Sequence, residues 1–382
     1  MPQPRPPRRT FLYALLTVLI ALAAVEGGLH LIDFAVGRIR PGPEKIPFRG
    51  LYEGEEWAAE LAQESDGRRQ DYHQYLTWIS RPQKGRFVNI DRHAGRQTWN
   101  PPVLKSPATI VFVFGGSAAW GYGARDDHTI PSQLSRRLNA RIPRFRVYNF
   151  SEPGYTFTQG LFWLITKLRD GARPDYVIFY DGFNDVYGAY QSGKPGTLHN
   201  LAQLREKLES KPRQLYGRAV QAWFQENIYL YSKIFSLILQ KPEKRFREVG
   251  AGFSDQELRV LAAGLVRYYA QSQELLEHLS RAYGFKYACF WQPALFTETR
   301  VWPQEKRVDV RQEDHNFARL YRFANQYLTE HPLPPPFYDL SDAVNSRNQP
   351  CYIDLVHMTE QGYGIVADRL AQILKQELSL GE

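Results

Sequence analysis

The chain has 382 residues, 43% apolar and 14% aromatic, with a formal net charge of +8. This length and balance suit one large globular domain with an appendage and exclude a chain disordered throughout. Two cysteines, Cys289 and Cys351, exclude a disulfide-knit scaffold and a four-ligand structural zinc site. The basic excess comes with no recognised nucleic-acid-binding motif, so no nucleic-acid partner is expected.

Residues 1–36 read as a membrane signal. Arg5, Arg8 and Arg9 precede a run from Phe11 to Val25 that is apolar apart from Tyr13 and Thr17. Glu26 interrupts, and Gly27 to Val36 resumes with His30 and Asp33 inside it. A bilayer needs about 20 apolar residues, which places Glu26 at the far interface. Three readings fit: an uncleaved signal anchor, a peptide cleaved after Ala21-Leu22-Ala23, and a twin-arginine signal at Arg8-Arg9. Each exports the body of the chain, since positive flanks stay cytoplasmic. In a bacterium the anchor reading gives a single-pass inner-membrane protein with its body in the periplasm or at the cell surface.

Residues 37–107 form a linker and a small preface. Pro41-Gly42-Pro43 is a linker signature, Glu55 to Gln63 suits a short helix, and Tyr75–Ile79 and Phe87–Ile90 are strand-like. Nothing in this stretch points to chemistry.

The main domain, residues 108–382, opens with Ala108 to Phe114, a continuous apolar run ended by glycines, which reads as a strand buried on both faces. Similar runs follow at Phe145–Phe150, Tyr176–Tyr180, Phe285–Phe290 and Phe337–Leu340. Helical patterns at Ile130–Arg141 and Thr158–Arg169 lie between them. The alternation predicts a parallel five-stranded α/β sheet covered by helices on both faces. Residues 187–283 exceed a crossover and are expected to form a helical insertion beside the site, with helices at Leu198–Glu209, Gln214–Gln240 and Ser254–Ala282.

In open parallel sheets ligands sit beyond the carboxyl ends of the strands, so reactive groups should follow the strands directly. The first strand ends in Gly115-Gly116-Ser117, where a serine can open a helix and point its hydroxyl out of the sheet. The second runs into Ser151-Glu152-Pro153-Gly154, and the third into Asp181-Gly182-Phe183-Asn184. Near the C-terminus stands Asp354-Leu355-Val356-His357, whose spacing lets a carboxylate reach an imidazole across a turn. Each motif alone equally describes a helix cap or a polar turn. Trp120, Tyr122, Tyr155, Tyr187 and Trp291 lie near these motifs, either as an acyl or sugar platform or as core.

Together, Ser117, Gly154, Asn184 and Asp354/His357, in that order, resemble the SGNH/GDSL hydrolase family over roughly residues 108–376, with the insertion unmatched. Gly121-Tyr122-Gly123 and Asp127-His128-Thr129-Ile130-Pro131 look like its membrane-anchored bacterial branch. The signature aspartate before the serine is Gly116 here. The resemblance implies a flavodoxin-like three-layer α/β/α sandwich, with Ser117 as nucleophile and Asp354 and His357 as its partners. The oxyanion hole would comprise the Ser117 and Gly154 N–H groups and the Asn184 amide. It implies no metal or organic cofactor. The expected substrate is an acyl ester or acylated glycan, hydrolysed by water. An alternative is transfer of the acyl group to a cell-envelope polysaccharide. A third reading, a non-catalytic glycan-binding scaffold, sits poorly with an intact residue set. Protein partners are not indicated.

Overall fold

The computed structural model describes residues 8–39, 47–52, 54–93, 95–201, 204, 223, 228, 248–305 and 315–378. The expected helices at Leu198–Glu209 and Gln214–Gln240 lie largely or wholly outside these residues. Two compact units divide the chain: residues 1–45 with 202–246, and residues 46–201 with 247–382.

In the first unit, helix α1 (Arg8–Ile39) runs for 32 residues. Its stretch Leu12–Leu31 is long and apolar enough to cross a membrane and is unburied within the chain. The helix continues through Glu26, whose carboxylate lies 3.2 Å from the His30 ring one turn on.

In the second unit, α2 (Trp57–Asp66) precedes two small antiparallel pairs: β1 (Gln70–His73) with β2 (Thr77–Ser80), and β3 (Gln83–Lys84) with β4 (Asn89–Ile90). Strand β1 is polar along its length and has no hydrophobic alternation that would announce it.

Five strands then form an all-parallel sheet: β5 (Thr109–Gly115), β6 (Phe145–Asn149), β7 (Tyr176–Asp181), β8 (Lys286–Trp291) and β9 (Phe337–Asp339). Their order is β6-β5-β7-β8-β9. This is the 2-1-3-4-5 order of the flavodoxin-like sheet, with its switch point between β5 and β7.

Strand alternation divides the side chains between two cores. Phe112, Phe114, Val177 and Phe179 face one side, covered by α5 (Phe157–Arg169), α7 (Asp255–Tyr283) and α8 (His315–Glu330). Val111, Val113, Ile178 and Ala288 face the other, covered by α4 (Ile130–Leu138) and α9 (Glu360–Glu377). The result is a three-layer α/β/α sandwich.

One expectation needs correction. The last helix of the expected insertion, α7, buries Leu258, Leu261 and Leu265 in the sheet's own core and is therefore a sandwich layer rather than a cover over the site. Apart from that expectation, the two cysteines, whose pairing the sequence left open, are free: Cys289 packs on one face of the sheet and Cys351 on the other. The preface contributes a third apolar cluster, in which Phe48, Leu61, Val88 and Ile90 pack with Trp120 and Ile353.

Candidate active site

Strand β5 ends at Gly115, and Ser117 is the first residue of the short helix α3 (Ser117–Trp120), with Gly116 as its N-cap. Serine itself is therefore not the cap, and its hydroxyl is free for another partner. That partner is His357, whose Nε2 lies 2.6 Å from Ser117 Oγ. On the other side of the ring, Nδ1 lies 2.6 Å from Asp354 Oδ2. The second Asp354 oxygen accepts the backbone N–H groups of Val356 and His357 at 3.0 and 2.8 Å. Burial works to raise the Asp354 carboxyl. The His357 ring and these hydrogen bonds outweigh it and hold the group below its ordinary value.

The loop carrying Asp354 and His357 is closed on itself, with Ile353 N–H donating to His357 O at 2.8 Å and Thr359 N–H to Cys351 O at 2.8 Å. Thr359 then caps α9. The Arg125 guanidinium grips Glu360 with two bonds of 2.7 Å, tying the loop after Ser117 to the start of α9.

Asn184 lies in the first turn of α6 (Phe183–Ser192), directly after β7. Its Nδ2 donates to Tyr155 O at 2.8 Å, which engages one amide hydrogen and leaves the second available. The same Nδ2 sits against Gly116: a Cβ there would collide with it. A side chain before the serine would therefore have to displace the Asn184 amide from this position.

Gly154 adopts φ +85, a left-handed conformation that side chains disfavour. Its N–H has no hydrogen-bond partner among the described residues. The site thus gathers Ser117, His357, Asp354, Asn184 and Gly154 from four loops at the carboxyl ends of the strands, around the switch point.

Of the two readings open for the aromatics near the motifs, core packing holds for most. Trp120, Tyr155 and Trp291 are at most 1% exposed, because the strands and the preface close over them. Tyr187 is half-buried, its hydroxyl bound to Glu248 at 2.9 Å. Tyr122 packs on His357, with ring centroids 4.8 Å apart.

Sequence reasoning missed what the preface does: it braces the loops after β5 and β6 and the start of α9. Tyr52 accepts the Glu360 N–H at 2.7 Å and donates to Gly123 O at 2.6 Å. Buried Arg96 pairs with Asp126 at 3.0 Å and donates to the carbonyls of Trp120, Gly121 and Ala124. Trp78 donates to Pro153 O at 3.1 Å, and its own carbonyl accepts the Tyr155 hydroxyl. Ser80 and Gln70 donate to buried Glu152 at 2.7 and 2.9 Å. Burial pushes the Glu152 carboxyl up, opposed by these donors and by Arg68. These residues have no motif, since their partners are backbone groups and carboxylates distant in the chain.

Residues 111–370 match a family model described as GDSL-like lipase/acylhydrolase. No curated protein matches the chain. Similar solved structures include a carbohydrate acetylesterase family member from Sinorhizobium meliloti, 15% identical, with a TM-score of 0.36 over 71% of this chain and 100% of that one. A lipolytic protein of the G-D-S-L family from Veillonella parvula is 13% identical, with a TM-score of 0.35 over 70% and 99%. A lipase/acylhydrolase from Enterococcus faecalis is 16% identical, with a TM-score of 0.34 over 70% and 96%. At these values the likenesses carry nothing about substrate.

Proposed function

The chain belongs to the GDSL-like lipase/acylhydrolase family, and from that premise we propose that it is a membrane-held serine esterase with Ser117 as nucleophile. The observation that carries this reading is the unbroken line Ser117 Oγ–His357 Nε2 and His357 Nδ1–Asp354 Oδ2, each link 2.6 Å.

His357 takes the hydroxyl proton as Ser117 Oγ bonds to the ester carbonyl carbon, and the carbonyl oxygen becomes an oxyanion. Asp354 fixes the ring tautomer and stabilises the imidazolium. The free hydrogen of the Asn184 amide and the unpaired Gly154 N–H are available to the oxyanion, together with the Ser117 N–H, which as the first of a helix has no intrahelical partner. As the C–O bond breaks, His357 returns its proton to the leaving alcohol. Water, deprotonated by His357, then attacks the acyl-serine and releases the carboxylic acid. Residues Leu12–Leu31 hold the enzyme in the membrane, with Arg5, Arg8 and Arg9 on the cytoplasmic side and the hydrolase body outside it.

The test is labelling of the full-length protein with a fluorophosphonate, followed by peptide mapping. Label on Ser117, absent in Ser117→Ala and accompanied by p-nitrophenyl acetate turnover, is the expected result. A folded protein that takes no label and turns over no ester would sink the assignment.

A further inference from the structure

Asp354 and His357 sit at the end of a narrow hairpin, in which Tyr352 and Met358 form an antiparallel bridge. The base of this hairpin is gripped from outside by the segment after β8. One Glu305 carboxylate oxygen accepts the Cys351 and Tyr352 N–H groups at 2.9 and 3.1 Å. The other accepts Arg347 Nη2 at 3.0 Å and the Trp302 N–H at 2.9 Å. Arg347 also donates to Glu298 through Nη1 at 2.5 Å, and Glu298 in turn accepts the Tyr352 hydroxyl at 2.7 Å. Two further Arg347 bonds reach the carbonyls of Val344 and Arg300. Nearer the end of the hairpin, the Leu295 N–H donates to Leu355 O at 2.8 Å. The side chains of Arg347, Glu298 and Glu305 are wholly shielded from solvent.

Stability alone is a weak reason for three buried charges, since a packed apolar cluster of similar volume often does as well. What charged groups supply and apolar ones cannot is direction. An ionised carboxylate has about four acceptor sites. Those of Glu305 are all taken, by two N–H groups of the hairpin, by Arg347 and by Trp302. We propose that Glu305 is a positioning residue: clamped by Arg347, its carboxylate sets the reach of the hairpin so that His357 Nε2 meets Ser117 Oγ at 2.6 Å. The inference rests on the esterase reading above and adds to it a residue that acts through the hairpin backbone. Asp354 rides on the same hairpin as His357. Glu305 therefore governs the distance from the imidazole to Ser117 and leaves the Asp354–His357 bond as it is.

The experiment is Glu305→Gln in the full-length protein in detergent. Glutamine keeps the size, but its NH2 must face either the two hairpin N–H groups or Arg347 and the Trp302 N–H, donor against donor. With the fold intact by circular dichroism, kcat for p-nitrophenyl acetate and the rate of fluorophosphonate labelling at Ser117 should both fall about 10- to 100-fold, as a misplacement of about 1 Å does. KM should change little. The pH midpoint of labelling should stay at the wild-type value, because Asp354 and His357 move together. Tyr352→Phe removes only the hydroxyl tie to Glu298 and should lower kcat in the same direction. If Glu305→Gln does not fold, Tyr352→Phe decides alone, and a wild-type kcat there overturns the inference. A folded Glu305→Gln with wild-type kcat, with its loss confined to KM, or with a shifted pH midpoint also overturns it and leaves the esterase reading standing. Absence of any ester turnover or fluorophosphonate label in wild type overturns both.

Discussion

Tyr122 lays its ring against the His357 imidazole, with centroids 4.8 Å apart and planes tilted by 52°, while its hydroxyl donates to Asp66 Oδ1 at 3.1 Å. The Tyr122 carbonyl accepts the Tyr363 hydroxyl at 2.8 Å. The ring is thus held at both ends, and it limits how far His357 can swing from Ser117. Tyr122 is a positioning residue. Tyr122→Ala should lower kcat on the order of tenfold through misplacement of the imidazole, and change KM little. Tyr122→Phe, which keeps the ring, should restore most of the rate. A kcat/KM pH profile that shifts in the alanine variant and not in the phenylalanine variant checks the role. Equal loss in both would point to the Asp66 bond instead.

Asp354 is held below the ordinary carboxylate value, so it stays ionised as pH falls through about 4, where a free aspartate takes up a proton. Asp354→Asn presents an amide to Nδ1 and favours the wrong tautomer. The expected loss in kcat is on the order of a thousandfold or more, with an unchanged fold by circular dichroism. Activity within tenfold of wild type would contradict the assigned role.

Asn184→Ala removes the proposed oxyanion donor and one loop bond to Tyr155 O. A drop in kcat of about 100- to 1,000-fold is expected, because the donor acts on charge that develops only in the transition state. Steady-state kinetics on p-nitrophenyl acetate measure it, and a loss confined to KM would argue for substrate binding alone.

Arg96 is fully buried and saturates three backbone carbonyls and Asp126, with its guanidinium 4.1 Å from the Trp120 ring. Arg96→Leu leaves Asp126 charged and buried without its partner, which typically costs about 3–5 kcal/mol. Urea denaturation should show that loss. Adding Asp126→Asn should recover part of it.

Two buried carboxyls flank Asn184 in the chain. Asp181 is buried with neither oxygen hydrogen-bonded among the described residues, and burial pushes it well above its ordinary value. Burial also raises Asp185 to about 7, although it accepts the Phe157 N–H at 3.1 Å. An unfolded aspartate loses its proton near pH 4, while the folded protein keeps it, so the contribution of this group to stability falls as pH rises from about 4 to about 7. Asp185→Asn lacks that dependence. Its melting temperature should therefore gain on wild type by several degrees between acidic and mildly alkaline pH. Parallel profiles would show that the carboxyl titrates normally.

The sequence by itself determined the membrane-length apolar segment, the five buried strands and the order of the site motifs. Hydrophobic period and strand-end glycines are local properties, and each strand from β5 to β9 lies within or beside the run that announced it. Ser117, Asn184, Asp354 and His357 were legible because their residue types and order form a recognisable set. The tertiary structure decided what had no local signal. Trp78, Arg96 and Tyr122 act through partners that folding brings together from distant loops, and a buried arginine binding carbonyls looks no different in sequence from a solvated one. The polar strand β1 and the sandwich role of α7 were hidden for the same reason: which surface a residue meets is fixed only once the sheet has its neighbours.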